Sequence, residues 1–406
     1  MSLDITTLVK KYDTPLYVYD FNNITNRYEE LKSAFNGKKS LVAYAVKSNS
    51  NLAVIRHLAK LGAGADCVSI GEVRRALKAG VKKYRIIFSG VGKRDSEIRE
   101  ALQEDILLIN LESEAEMKRV EMIATELNVE ARISIRVNPN VDPKTHPYIS
   151  TGLHENKFGV SLNSAKRMYI YAKKSEHLNP IGIHFHIGSQ LTELAPITEA
   201  CGIVADLVRS LDAIGIEIKF FDIGGGLGVV YDNETTIKPT DYAKAIFSKI
   251  KGLDMTILSE PGRYMMANSG IFLTSVLYEK VNGDKRFVIV DGAMNDLLRP
   301  SLYNAYHKIE AIQKEGEISP ADVVGPVCES GDFLGKNVAL PPMNHNDILV
   351  VHSAGAYGFT MSSNYNTRGR SAEVALLDGK DYLIRERETF EDQIRLEEKC
   401  DTSWQS

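Results

Sequence analysis

Residues 41–50 read Leu-Val-Ala-Tyr-Ala-Val-Lys-Ser-Asn-Ser, and the reading of this stretch decides the fold. The apolar run 41–46 is short and bounded by polar residues, as in a strand buried on both faces. Lys47 then falls at the strand's C-terminal end, before a polar turn. In a closed β/α barrel that end is where chemistry collects. A lysine there can be stripped of water, and its amine can act as a nucleophile toward an aldehyde. The other reading is a solvated lysine just past a strand, and the rest of the chain must choose between them.

Outward from this stretch a rhythm appears. Short apolar runs recur at 41–46, 64–68, 85–89, 106–109, 132–137, 181–187, 219–223 and 256–259. Segments of helical period lie between them, at 51–61, 70–79, 95–104, 113–127, 162–177, 196–214 and 241–251. Eight strand–helix units in about 250 residues match the size of a closed barrel, with an open doubly wound sheet as the competing arrangement. A further helix is expected at about 22–35. Past 267 the grammar changes to β-prone runs at 271–281, 286–290, 322–328, 347–352, 373–377 and 382–386, split by turn signals such as Asn282-Gly-Asp284 and Asp378-Gly379. The expectation is a barrel domain at 21–267 and a β-rich domain, a sandwich or small barrel, from 1–20 and 268–406. The strand at Leu-Tyr-Val-Tyr-Asp20 is expected to join the second domain. The charged end, 385–399, is expected to be a solvated helix.

At 406 residues the chain can hold two domains and a sizeable core. Its formal charge of −4 gives no electrostatic reason to expect nucleic acid or an anionic membrane as partner. No basic start precedes an apolar segment and no run could span a bilayer, so the expected compartment is the cytoplasm. The four cysteines, Cys67, Cys201, Cys328 and Cys400, are irregularly spaced, so neither a disulfide framework nor a zinc site is expected.

Four further constellations carry chemistry. Gly224-Gly-Gly-Leu-Gly228 follows a strand, so its bare amides could close on a phosphate; a tight turn needing positive φ is the alternative. The spacing fits neither a Walker loop nor a dinucleotide fingerprint. His184 and His186 alternate onto one face of a strand, with no ligand at metal spacing beside them; an imidazole could stack on an aromatic ring, and Ser189 could reach a phosphate. In Ser259-Glu-Pro-Gly-Arg-Tyr264, Glu260 could face a ring nitrogen and Arg263 could fork onto an anion; a Glu260–Arg263 salt bridge is the plain alternative. In the β-rich half, Asp291-Gly-Ala-Met-Asn-Asp296, Arg299-Pro-Ser-Leu-Tyr303, Cys328-Glu329 and Ala354-Gly-Ala-Tyr-Gly-Phe359 stand out. The plain alternative for Cys328 is a small buried thiol.

Together these motifs resemble the fold-type III pyridoxal-phosphate decarboxylases, and within them the diaminopimelate branch. The resemblance runs over nearly the whole chain: YAVKSN (with Ser48 in place of the usual alanine), GADCVSIGE, HFHIGSQ, DIGGGLG, EPGR, RPSLYNAYH, CESGDFL and GAYGFTMSSNYN follow in order. NTRGRSAEV departs mildly from the family's usual NSRPRPAEV. The resemblance implies pyridoxal 5'-phosphate as cofactor, held by Lys47 as a Schiff base. It implies Asp66, His186, Ser189, Gly224, Gly225, Gly226, Glu260, Gly262, Arg263 and Tyr357 around that cofactor, with His186 stacked on its ring. Cys328 would be the proton donor. Arg263, Arg299, Tyr303, Glu329 and Tyr357 would meet the substrate, meso-diaminopimelate, which would yield L-lysine and carbon dioxide. It implies a homodimer in which Cys328, Glu329 and Ser330 serve the neighbouring subunit's site, and no metal. The alternatives are an ornithine- or arginine-type decarboxylase, which would not need Arg299; an alanine racemase, which places an arginine where this chain has Glu260; and a single-barrel cofactor carrier, which lacks the β-rich half. Residues 142–157, with His146 and Lys157-Phe-Gly159, are a candidate for a loop closing over the substrate.

Overall fold

The computed structural model describes residues 4–142 and 157–400. They form two compact units, 24–265 and the remainder. The chain opens with α1 (Ile5–Tyr12) and β1 (Leu16–Asp20) of the second unit. Helix α2 (Phe21–Ala34) leads into the barrel.

The barrel strands are β2 (Ser40–Ala45), β3 (Gly64–Cys67), β4 (Ile86–Phe88), β5 (Leu108–Leu111), β6 (Ala131–Arg136), β7 (Leu178–His184), β8 (Phe220–Asp222) and β9 (Thr256–Ser259). All pair in parallel, and β2 returns to β9 with Ser40 opposite Ile257. That pairing closes the sheet, so the open arrangement is excluded. Between the strands lie α3 (Leu52–Leu61), α4 (Ile70–Ala79), α5 (Asp95–Gln103), α6 (Glu114–Leu127), α7 (Leu162–Ala172), α8 (Leu194–Asp212) and α9 (Pro239–Lys249). Several starts are written in the sequence. Asn51 Oδ1 accepts from Ala53 N at 2.9 Å, and the hydroxyls of Ser69 and Ser113 accept from Glu72 N at 3.2 Å and Glu116 N at 3.1 Å. Gly62 and Gly80, both left-handed, end α3 and α4. Inside the barrel, Ala43, Ile87, Leu107, Leu108 and Leu258 form a buried cluster with Leu41 and Phe220 against it. Burying a side chain of this kind is worth about 1.5–3 kcal/mol.

Helix α10 (Arg263–Met266) ends the barrel unit, and the second unit continues with β10 (Gly270–Asn282), β11 (Lys285–Val290), α11 (Arg299–Tyr303), β12 (Ile309–Ala311), β13 (Ser319–Val324), β14 (Phe333–Leu340), β15 (Ile348–Val351), β16 (Ala372–Leu377), β17 (Lys380–Arg385) and α12 (Phe390–Ile394). Pairing links nine strands in the order β14-β13-β11-β10-β1-β16-β17, with β15 on β10 and β12 on β15. The early strand β1 lies between β10 and β16, antiparallel to one and parallel to the other. Leu8, Leu16, Val18, Leu273, Val350, Ala372 and Val374 make its core.

Several expectations need correction. Helix α7 stops at Ala172, because β7 already begins at Leu178. The charged end is helical only over α12, none of whose residues is buried; without packing a longer helix is not held. The run expected at 322–328 is β13, starting at Ser319 and ending at Val324. Strands β12 and β14 were not expected. In β14, Gly335 and a left-handed Asn337 look like a turn in sequence, and they sit where its pairing with β13 is irregular. No helix among the described residues is long and apolar enough to cross a membrane.

Candidate active site

The site is built on the C-terminal rim of the barrel. Strand β2 ends at Ala45, and Lys47 sits in a single 3-10 turn, Val46–Ser48. That turn is fixed from several sides. Asn49 N donates to Val46 O at 3.1 Å, Tyr44 Oη donates to Asn49 O at 2.8 Å, and Ser48 Oγ donates to Ala45 O at 2.8 Å. The hydroxyl of Ser48 is therefore absorbed locally. Lys47 Nζ reaches Asp66 Oδ2 at 3.1 Å, and the β2–β3 register, Ala45 opposite Asp66, sets that distance. Asp66 is fully buried. Burial, with Glu260 nearby, raises its pKa, although Lys47 pulls the other way.

His184 ends β7 opposite Asp222, the last residue of β8. Its Nε2 lies 3.4 Å from Glu260 Oε2. Ligating atoms of His184, Asp222 and Glu260 all lie within 4.8 Å of one another. The sequence offered no ligand at metal spacing beside His184, yet folding brings two carboxylates to it from neighbouring strands. Burial would raise the Glu260 pKa, but the His184 ring and Lys47 outweigh it and hold the carboxyl at about 2, ionised. The Glu260–Arg263 salt bridge is not what forms. Arg263 Nε instead donates to Ser189 Oγ at 3.1 Å, and Nη1 donates to Tyr231 Oη at 2.7 Å.

His186 lies two residues beyond the end of β7, not on the strand as expected. A Cβ on Gly224 would come within 2.8 Å of its Nδ1. Desolvation, then Arg136 and Lys47, push its pKa well below the ordinary histidine value, so the ring is neutral. In the glycine loop, Gly226 has φ of +115°, and a Cβ on Gly225 would meet Glu260 O at 2.4 Å. Backbone crowding alone thus demands glycine here. The N–H groups of Gly225 and Gly226 find no hydrogen-bond acceptor among the described residues, which leaves room for the anion-binding role as well.

The rim therefore suits a pyridoxal ring. An amine stands at one side, a buried ionised carboxylate at another with Oε1 unbonded among the described residues, and a neutral imidazole and spare backbone amides lie near them.

In the second unit, Arg299 is buried at the start of α11, and its Nε donates to His307 Nε2 at 3.4 Å. His307 Nδ1 is 2.9 Å from His352 O, which fixes the tautomer that accepts from Arg299. Ser301 Oγ donates to Gly331 O at 2.6 Å, tying the helix of Arg299 and Tyr303 to the loop of Cys328 and Glu329. Cys328 is exposed, not a buried thiol. Its N–H donates to Asn366 Oδ1 at 2.7 Å, and Glu329 Oε2 accepts from Tyr365 Oη at 3.3 Å. Tyr357 is left-handed, with φ of +57°, a strained state of the kind that gathers at functional sites. Sequence reasoning missed Asp222, Tyr231 and His307. Asp222 could have been found, since it ends a strand as Glu260 follows one. Residues 143–156, His146 among them, lie outside the described residues.

A family model described as pyridoxal-dependent decarboxylase, pyridoxal binding domain, matches residues 21–267. The diaminopimelate decarboxylase of Campylobacter jejuni is 61% identical over 398 residues, covering 98% of this chain and 99% of that protein. A crystal structure of diaminopimelate decarboxylase from Helicobacter pylori complexed with L-lysine superposes with a TM-score of 0.95 at 55% identity, covering 98% of this chain and 100% of that one. A lysine/ornithine decarboxylase of Vibrio vulnificus, complexed with cadaverine, shares the fold with a TM-score of 0.81 at 24% identity, over 92% of this chain and 95% of that one.

Proposed function

The chain belongs to the pyridoxal-dependent decarboxylase family, and we propose that it converts meso-2,6-diaminopimelate to L-lysine and carbon dioxide. What carries the substrate assignment is similarity over nearly the whole length to diaminopimelate decarboxylases, at 61% identity in one and 47% in a more distant one.

Pyridoxal 5'-phosphate, when bound, supplies an aldehyde for the substrate amine and a ring that accepts the electrons left by departing carbon dioxide. Lys47 would hold the aldehyde, with Asp66 orienting its amine. Glu260, kept ionised, would pair with the ring nitrogen and keep it protonated. A neutral His186 suits the ring face, since a charged imidazolium would oppose that protonation. Ser189, Gly224, Gly225, Gly226 and Tyr357 would take the phosphate and its surroundings, with Gly262 close by. The grip of Ser189 and Tyr231 on Arg263 favours the phosphate side for that guanidinium over the substrate's far end.

Cys328 would deliver a proton to the α-carbon. Arg299 and Tyr303 would receive the distal carboxylate, and Glu329 the distal ammonium. A buried charge left without its partner costs several kcal/mol, so a substrate lacking the distal head should be refused. Cys328, Glu329 and Ser330 would serve a second copy of the chain, making the working unit a homodimer, and the enzyme would act in the cytoplasm.

The test is a substrate panel with released carbon dioxide as the readout. Turnover of meso-diaminopimelate is expected to exceed that of ornithine and arginine at least about a hundredfold, the scale set by one unpaired charge. Comparable turnover of ornithine would replace the reading with an ornithine-type decarboxylase.

A further inference from the structure

Two buried carboxyl groups face each other in the barrel. Asp222 is 1% exposed and Glu260 is 6% exposed. Asp222 Oδ1 is occupied, accepting from Gly224 N at 2.9 Å. Its Oδ2 has no hydrogen-bond partner among the described residues, and neither has Glu260 Oε1. Written as two carboxylates, both groups only accept, so nothing joins them. Oxygens of the two carboxyls lie within 4.8 Å of each other, so a proton carried by one of them is placed to be shared with the other. Two like charges at this depth cannot both persist, because the low dielectric magnifies their repulsion.

The surroundings decide which group is protonated. Glu260 has His184 Nε2 at 3.4 Å, with Lys47 adding positive potential. Asp222 has one backbone N–H on its other oxygen. The other ionisable groups that bear on Asp222 are His184, whose Nε2 lies against Glu260, and Asp66 and Tyr242. An anionic Asp66 disfavours a second anion, and a phenol brings no positive charge. Burial, then Glu260, accordingly raise the Asp222 pKa well above the carboxylate range.

We propose that Asp222 is a positioning residue, a neutral carboxylic acid that donates through Oδ2 to Glu260 and leaves Glu260 as the one anion available to the ring nitrogen. The inference rests on the reading of Glu260 given above. No covalent step is involved: the O–H of Asp222 stays on Asp222, and its donation keeps Glu260 a weak base. Without that donor Glu260 would compete with the ring nitrogen for the proton they share. The pairing also gives Asp222, otherwise a buried acid at a strand end, a reason to be there.

The test uses the holoenzyme and three variants. Asp222→Asn keeps an acceptor for Gly224 N and an N–H donor for Glu260. Asp222→Ala keeps neither, and Glu260→Gln is the control. The expected result is that Asp222→Asn retains the visible cofactor absorbance and its pH midpoint. In Asp222→Ala that band should weaken, and equilibrium dialysis should show pyridoxal phosphate held roughly tenfold less tightly or worse, the loss of one charge-assisted hydrogen bond. An infrared spectrum of the wild type at pH 8 should contain a protonated-carboxyl stretch that is missing from Asp222→Asn. This readout stands even if Asp222→Ala fails to fold. Absence of that stretch, or equal damage from Asn and Ala, would overturn the proposal, as would a wild-type spectrum in Asp222→Ala. If Glu260→Gln leaves the visible band unaltered, the reading of Glu260 fails, while the infrared band still reports separately on Asp222.

Discussion

The two units carry their candidate catalytic groups in different ways. In the barrel, Lys47, Asp66, His184, Asp222 and Glu260 come from the ends of five different strands, and strand register draws them together. Four of the five are buried, so each one's charge depends on its neighbours. In the second unit, Cys328 and Glu329 lie exposed on a loop, where Asn366 and Tyr365 hold them. A closed parallel sheet makes a site by converging strand ends, whereas an antiparallel sheet displays side chains on its connections. Damage in the barrel should therefore alter both the hold on the cofactor and the rate. Damage in the Cys328 loop should alter the rate alone.

The largest expected effect is in the barrel. Lys47→Ala should abolish the visible absorbance of the purified protein and lower kcat by on the order of 10^4-fold, as loss of a covalent nucleophile does elsewhere. A Lys47→Ala protein that stays yellow with near-normal turnover would break the comparison at its strongest point. Next comes Cys328→Ala. Removing a proton donor should cost about 10^3-fold in kcat, while absorbance and cofactor affinity stay at wild-type levels. If Cys328→Ala loses cofactor as readily as it loses turnover, the two units do not divide the labour in this way.

The same contrast explains what could be read from residues alone. The alternation of apolar runs and helical segments was enough for the barrel, because each βα unit is local in sequence and its caps are written at fixed offsets. Lys47, Glu260 and the glycine loop were legible because each follows a strand directly. The relation of Asp222 to Glu260 was not: it depends on β8 lying beside β9 and on which way two carboxyls turn. Arg263 showed the limit from the other side. Its neighbour in sequence suggested a salt bridge, but folding presents Ser189 and Tyr231 instead. In the second unit, β14 escaped notice because Gly335 and Asn337 imitate a turn inside a strand.

The smallest expected effect tests whether buried charge matters beyond the barrel. Asp296, in the second unit, is 1% exposed. Its Oδ2 accepts from Ala293 N at 3.1 Å and its Oδ1 from Ser371 Oγ at 2.7 Å. Burial outweighs both bonds and raises its pKa from 3.8 to about 6. Below about pH 4 the folded and unfolded chains both hold this proton, and the group costs nothing. Between about pH 4 and 6 the unfolded chain releases it first, so stability falls as pH rises. Above about pH 6 both forms are ionised and the full penalty, about 3 kcal/mol for a shift of about two units, is in place. Asp296→Asn carries no such proton. Its amide can still accept from Ala293 N, and the Ser371 hydroxyl can turn to accept from the new NH2. Urea unfolding of both proteins at pH 4.5 and pH 7 should therefore show the variant gaining on the wild type as pH rises. A constant difference between the two would mean that Asp296 keeps an ordinary carboxylate pKa despite its burial, and that the dependence of charge on depth belongs to the barrel alone.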